Sequence, residues 1–271
     1  MSLDNIFTCP KCKLPLMQIN GSLVCESRHT YDISKHGYVN LVNTNSQKES
    51  GDSKDMARAR TRFLSGEYYA PFRDALTRAV GGGELLIDAG CGEGYYTCAM
   101  AHGFDLTVGF DLSKASVDYA ARRARASGAF DKARFAVSSV YEMPIQSKSA
   151  DCIVSIFAPC ATEEFLRILK PGGRLVVGCA GKNHLAGLKA ALYESVRENT
   201  DRHDLPTGMV EIAREDICYN ITVSDKENIW ALYSMTPYCH KTSPEAEARL
   251  LMLDTLQTVV DFEIRTYEKQ R

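Results

Sequence analysis

The chain predicts a doubly wound α/β fold with a mostly parallel sheet, preceded by a small cysteine-built unit. Three observations carry that prediction. Short apolar runs alternate with helical stretches from Leu85 onward, a glycine-rich turn follows the first of those runs, and four potential metal ligands cluster ahead of residue 30. Strands that alternate with helices build parallel sheets, because each crossover helix returns the chain to the same end of the sheet. With 271 residues, 45% of them hydrophobic and 24% charged, there is material for one ample core and a small extra unit.

The N-terminal unit comes first. Cys9, Cys12, Cys25 and His29 follow a C-x₂-C-x₁₂-C-x₃-H spacing. Zn²⁺ takes four N or S donors in a tetrahedron, and two short turns that each present a pair of donors supply one. Residues 13–17 and 22–24 read as short strands, which favours a zinc ribbon over a finger built on a long helix. Such a closed shell leaves no position for a reactive water, so the expected metal is structural. His36 stands seven residues past His29 as a reserve ligand. Cys91, Cys98, Cys152, Cys160, Cys179 and Cys218 sit in or beside apolar segments without framework spacing, as buried thiols do in a reducing compartment. No run of eighteen apolar residues and no basic-then-apolar leader occurs. The expectation is a cytoplasmic protein without a membrane partner.

Residues 43–53 are rich in Asn, Ser, Gln, Gly and Asp and read as a linker or a mobile loop. The predicted division is therefore a ribbon over residues 1–42, a linker over 43–54 and a larger domain over 55–271. Residues 54–78 read as helical, with six basic against three acidic side chains. Arg58, Arg60 and Arg62 cluster there, followed by Tyr68, Tyr69 and Phe72. A net charge of −2 and a pI near 6.3 give no overall pull on a polyanion. Nucleic-acid affinity must come from such a local patch, with rings for base stacking nearby.

In Leu85-Leu86-Ile87-Asp88-Ala89-Gly90-Cys91-Gly92-Glu93-Gly94, an apolar strand delivers an acid and then turns through three glycines into a helix. Glycines at alternate positions let a ligand lie against bare backbone at the carboxyl end of a strand. A dinucleotide fingerprint needs G-x-G-x-x-G to seat a pyrophosphate, whereas this turn is G-x-G-x-G with Asp88 before it and Glu93 inside it. Acid at that point repels pyrophosphate and suits an ammonium, which points to S-adenosylmethionine across residues 90–94. A second strand over 106–110 ends at Asp111, the position from which an acid accepts the ribose hydroxyls. Strands at 134–137, 151–157 and 174–179 continue the alternation, with a helix at 163–169. A helix at 225–232 and an alternating strand at 258–267 are placed to add an antiparallel edge.

The residues Asp88-Ala89-Gly90-Cys91-Gly92-Glu93-Gly94 together with Lys170-Pro171-Gly172-Gly173 resemble the class I S-adenosylmethionine-dependent methyltransferases over residues 55–271. Adding the cysteine unit, Gly37-Tyr38-Val39-Asn40-Leu41, Tyr95-Tyr96-Thr97, Ala158-Pro159-Cys160 and His184-Leu185, the whole chain resembles the bacterial 23S rRNA (guanine-N1)-methyltransferases. That resemblance implies a seven-stranded Rossmann-like sheet, methyl transfer to N1 of one guanine in a loop of 23S rRNA, and a ribbon that helps hold the RNA. It also implies cofactor contacts at Tyr69, Gly92, Glu93 and His184. Ser138-Ser139 stands where many superfamily members place an acid near adenine. The residues alone leave two other classes open: a methyltransferase for a small molecule or protein with a purely structural ribbon, and an inactive cofactor fold that binds RNA.

Guanine N1 carries a proton in its neutral form and hides inside a base pair, so the target must be unpaired or flipped out and must lose that proton. Phe157 and Pro159, after the strand at 151–157, sit where such a sheet places the methyl acceptor. Cys160 reads as buried. Tyr238 lies in a helix-breaking turn and is either a substrate contact or a plain turn residue; Trp230 reads as core. Because RNA exceeds the span of one small domain, a homodimer lining a shared cleft is expected.

Overall fold

The structure is a computed structural model that describes residues 5–42, 51–194 and 206–270. Most of the expected linker, residues 43–50, lies outside the described residues.

The ribbon is a three-stranded antiparallel sheet of β1 (Met17–Ile19), β2 (Ser22–Val24) and β3 (Thr30–Asp32). Three-residue strands are too small to be stable alone. This one rests on the larger body: Phe7, Leu16 and Leu23 are buried in one cluster with Ile87, Val108, Phe110 and Ile153, and Phe7 meets Phe110 edge-on at 6.1 Å. The chain then adds β4 (Val39–Asn40), which pairs in parallel with β7 (Ala133–Val137) of the main sheet. Residues assigned to the ribbon from sequence thus form the edge of the sheet they were expected to stand apart from.

Where one helix was expected over residues 54–78 there are two, α1 (Lys54–Ser65) and α2 (Ala70–Val80). Ser53 caps α1 through its hydroxyl, which accepts from the Met56 amide, and Gly66 ends it. Glu67 takes a left-handed φ of 59°, and Pro71 opens α2, where its missing amide hydrogen costs nothing.

The main sheet continues with β5 (Gly83–Ala89), α3 (Tyr95–Met100), β6 (Phe104–Asp111), α4 (Lys114–Ala126), β7, β8 (Ala150–Ile156), α5 (Thr162–Ile168) and β9 (Leu169–Ala180). After α6 (Ala186–Leu192) come β10 (Met209–Val223), α7 (Lys226–Ser234), α8 (Pro244–Leu251) and β11 (Leu256–Lys269). The strand order is β10-β11-β9-β8-β5-β6-β7-β4, with β11 antiparallel to both β9 and β10. The order reverses between β5 and β8, so the crevice outside their carboxyl ends is the ligand site such sheets provide.

The sheet has eight strands against the seven expected, the additional one being β4. β10 carried no assignment from sequence, because most of its residues lie exposed at the sheet's other edge and it lacks a buried alternating face. The buried alternation of β11 made its position legible. Cys160 and Cys218 are exposed rather than buried, and none of the ten cysteines is paired in a disulfide. Trp230, expected in the core, is 37% exposed at its margin.

Candidate metal and cofactor sites

Cys9, Cys12, Cys25 and His29 converge, with ligand atoms all within 4.8 Å of one another. Cys9 Sγ is 3.4 Å from His29 Nδ1, Cys25 Sγ is 3.5 Å from the same nitrogen, and Cys12 Sγ is 3.5 Å from Cys25 Sγ. Those separations approach the edge of a tetrahedron with metal–sulfur bonds of about 2.3 Å. Three thiols and an imidazole make a zinc donor set. Tyr31 adds an outer contact, its hydroxyl 3.3 Å from Cys9 Sγ. His36 takes no part: its Nδ1 faces Asp118 Oδ1 at 2.7 Å on α4.

The glycine turn forms the second site. Gly90, Gly92 and Gly94 all have positive φ, at 87°, 53° and 81°. A Cβ on Gly90 would stand 2.5 Å from that of Ala158, and one on Gly94 would stand 2.9 Å from Ala120. No side chain fits there, so glycine lets the turn pack directly against Ala158 and α4, while the nearest atom to a Cβ on Gly92 is in the Arg60 guanidinium at 3.7 Å and bare backbone faces the crevice. Asp111 closes the neighbouring edge, accepting from the Gly92 amide at 3.0 Å and the Ser113 amide at 2.7 Å.

Asp88 is 1% exposed; Oδ2 accepts from Thr97 Oγ1 at 2.6 Å, while Oδ1 has no partner. Burial, aided by the nearby charges of Asp111 and Glu93, pushes its pKa up to about 7 against the Thr97 bond. Burial also raises the Glu93 pKa; Arg123 opposes that, its Nε donating to Glu93 Oε2 at 2.9 Å. The orphaned, buried Asp88 Oδ1 beside bare backbone fits an ammonium, and the Asp111 carboxylate fixed at the neighbouring edge fits a ribose, as S-adenosylmethionine requires.

Aromatic rings from α2, β11 and the segments that follow β8 and β9 cluster on one side of the sheet. Phe262 stacks on Phe72 at 4.1 Å and meets Tyr69 edge-on at 4.9 Å. Phe157 and His184 face Phe262 at 5.5 and 4.5 Å. Tyr69 and Tyr96 each bury a hydroxyl without a partner. Phe157 adopts a left-handed φ of 53° and is 53% exposed. A bulky side chain in that region carries strain, which marks functional sites. Pro159 is exposed beside it, and Tyr238 is half-buried in a 3₁₀ turn against Tyr193. His184 Nδ1 accepts from the Asp261 amide at 3.3 Å, so its proton sits on Nε2. Burial, reinforced by the charge of Lys189, lowers its pKa to about 3.

The three arginines separate. Arg58 is exposed, Arg62 pairs with Glu227 on α7 at 2.5 Å, and Arg60 turns over the glycine loop to Asp52. Sequence reasoning missed Thr97, Ser113, Arg123 and Phe262. Thr97 alone had a local signal, nine residues after Asp88 at the start of the helix.

A switch-point crevice with a glycine turn, an acid at the end of β6 and a zinc ribbon alongside define an S-adenosylmethionine-dependent methyltransferase of the class I fold. Family models match accordingly: "Methyltransferase domain" over residues 86–173 and "RlmA, N-terminal", a zinc ribbon, over residues 7–50. The 23S rRNA (guanine(748)-N(1))-methyltransferase of Streptomyces fradiae is 36% identical over 193 residues, which cover 68% of this chain and 66% of that one. A Bacillus subtilis (strain 168) protein provisionally named as a 23S rRNA (guanine-N1)-methyltransferase is 30% identical over 96% of both chains. The crystal structure of the YcgJ protein of Bacillus subtilis matches 73% of this chain and 98% of its own with a TM-score of 0.50 at 17% identity, a likeness of fold alone. The chain belongs to the 23S rRNA (guanine-N1)-methyltransferase family.

Proposed function

We propose that this protein methylates N1 of a guanine in a loop of 23S rRNA, with S-adenosylmethionine as the donor. The observation that carries the reading is the 30% identity extending over 96% of both chains, ribbon and crevice together. A relative that shared only the methyltransferase half would leave the substrate open.

The cofactor supplies a methyl group already activated on a sulfonium, so the protein has to position the base, exclude bulk water and leave an acceptor beside N1 for the proton that departs as the methyl arrives. Gly90, Gly92 and Gly94 give the cofactor its floor. Asp111, preorganised by two backbone amides, takes the ribose hydroxyls, and Asp88 and Glu93 lie toward the ammonium. Tyr69 and His184 close the side of the crevice, where His184, held neutral, adds no positive charge against the sulfonium. Phe157 presents its exposed ring as a stacking surface for the flipped guanine, with Pro159 and Tyr238 bordering the same opening. Arg58 and Arg62, on the outer side of α1, contact phosphates. The ribbon positions the RNA, and two chains line a shared cleft. No helix among the described residues is long and apolar enough to cross a membrane; we place the protein in the cytoplasm with its substrate.

The test is direct, because a methyl on guanine N1 blocks the Watson–Crick edge and stops reverse transcriptase. Cells lacking the gene should lose one stop in 23S rRNA, and the purified protein with S-adenosylmethionine should restore it. A stop unchanged by deletion removes the reading.

A further inference from the structure

Arg60 belongs to a different environment from the two arginines it was grouped with. Its Nη1 lies 3.7 Å from where a Cβ on Gly92 would stand and pairs with the Asp52 carboxylate, while Nη2 donates to the Met235 carbonyl at 3.3 Å. Its charge reaches Asp111, Glu93 and Tyr69, which all line the crevice. Asp52 in turn is held at the ribose edge, where Ser113 Oγ donates to its backbone carbonyl at 2.7 Å.

Charge balance gives the arrangement a purpose. Asp88, Glu93 and Asp111 place three acids around the loop, and Arg123 answers only Glu93. An amino-acid ligand brings a carboxylate as well as an ammonium, and a carboxylate entering an acidic, partly desolvated crevice needs a cation. The guanidinium over Gly92 is placed to be that cation, and it already holds a carboxylate.

We infer that Arg60 binds the carboxylate of the cofactor's amino-acid end, and that Asp52 occupies the same guanidinium until the cofactor displaces it. This rests on the methyltransferase reading of the crevice. One carboxylate is exchanged for another, so Arg60 stays satisfied throughout. Asp52 and the short segment 51–53 that leads into α1 are released as the cofactor seats. Arg60 is then a cofactor ligand rather than a phosphate contact.

Calorimetry on the full-length zinc-loaded protein separates the possibilities, using S-adenosylhomocysteine and 5′-methylthioadenosine, which lacks the amino-acid end. Arg60→Gln should weaken S-adenosylhomocysteine about ten- to a hundredfold, the effect of a lost charge-assisted bond. Its affinity for methylthioadenosine should stay within about twofold, and Arg60→Lys should recover part of the loss. Asp52→Asn should tighten S-adenosylhomocysteine about two- to fivefold, because an internal competitor of modest strength has been removed. Equal losses for both ligands with Arg60→Gln, or weaker binding with Asp52→Asn, would overturn the proposal, since both describe a pair that merely shapes the loop. So would unchanged S-adenosylhomocysteine affinity accompanied by weaker binding of an rRNA fragment. If the wild-type protein bound neither nucleoside, the methyltransferase reading itself would fall, and this proposal with it.

Discussion

At Asp88, burial and chemistry pull in opposite directions. The carboxyl, pushed up to about 7, is largely protonated below neutrality in the free protein, with Oδ1 unpartnered. An ammonium beside it favours the ionised form, so cofactor binding should expel a proton and weaken as the pH falls below 7, approaching about tenfold per unit. Calorimetry in buffers of contrasting ionisation enthalpy checks this; a heat independent of buffer would place the ammonium elsewhere. His184 works through stability. With its folded pKa lowered to about 3 from 6.5, its contribution is present above pH 6.5 and is lost as the pH falls toward 3. Replacing it with Phe should flatten urea-measured stability across that window. Phe157→Gly removes both a ring and a strained φ, so the melting temperature should hold or rise. The KM for rRNA should rise about tenfold, as loss of one stacked base predicts. A fall in stability without a change in KM would reduce Phe157 to packing. The glycines, Asp88 and the zinc ligands were legible because their chemistry lies in short spacings. Arg123, thirty residues from Glu93, and Phe262 were not, because only the folded sheet brings them to the crevice.

The ribbon and the sheet share their structural elements. The Thr8 amide donates to the Pro144 carbonyl at 2.8 Å, Lys13 meets Glu142 at 2.5 Å, and the Leu41 amide extends the β4–β7 pairing to the Val137 carbonyl at 2.9 Å. Zinc therefore organises a unit whose apolar residues belong to the main core. Cys12→Ser should lower the melting temperature by about 10 °C in a single transition, as loss of a few kcal/mol does in a chain of this size. Two separated calorimetric transitions would show that the ribbon melts alone. Sequence patterns located β5 to β9 because each is an apolar run followed by a turn. They gave no sign of β4, whose two residues become a strand only by finding the edge of β7, nor of the break between α1 and α2 at Gly66.

Across the whole molecule the net charge of −2 means that RNA must be held by a face rather than a field. Arg62 and Glu227 are 49% and 74% exposed, a pairing too solvated to compete strongly with a phosphate. Arg58→Ala should lower the salt slope of rRNA binding by about 1, and Arg62→Ala by less, because its charge is already partly answered. Filter binding between low and physiological salt measures both, and an unchanged slope moves the RNA to another surface. The parallel body of the doubly wound sheet, β5 to β9, was legible, because alternation and the glycine turn are properties of the sequence at large, whereas its two edge strands β4 and β10 were not. Where the ribbon sits was not, since nothing local encodes a contact between residues 39–40 and 136–137. That contact also bears on solubility. β4 covers the carboxyl end of β7 at Ala136 and Val137, which would otherwise extend the open sheet edge. A chain synthesised without metal would present that edge to its neighbours, and strand-to-strand self-association would compete with folding, so zinc supply would govern how much protein stays dispersed before any RNA is met.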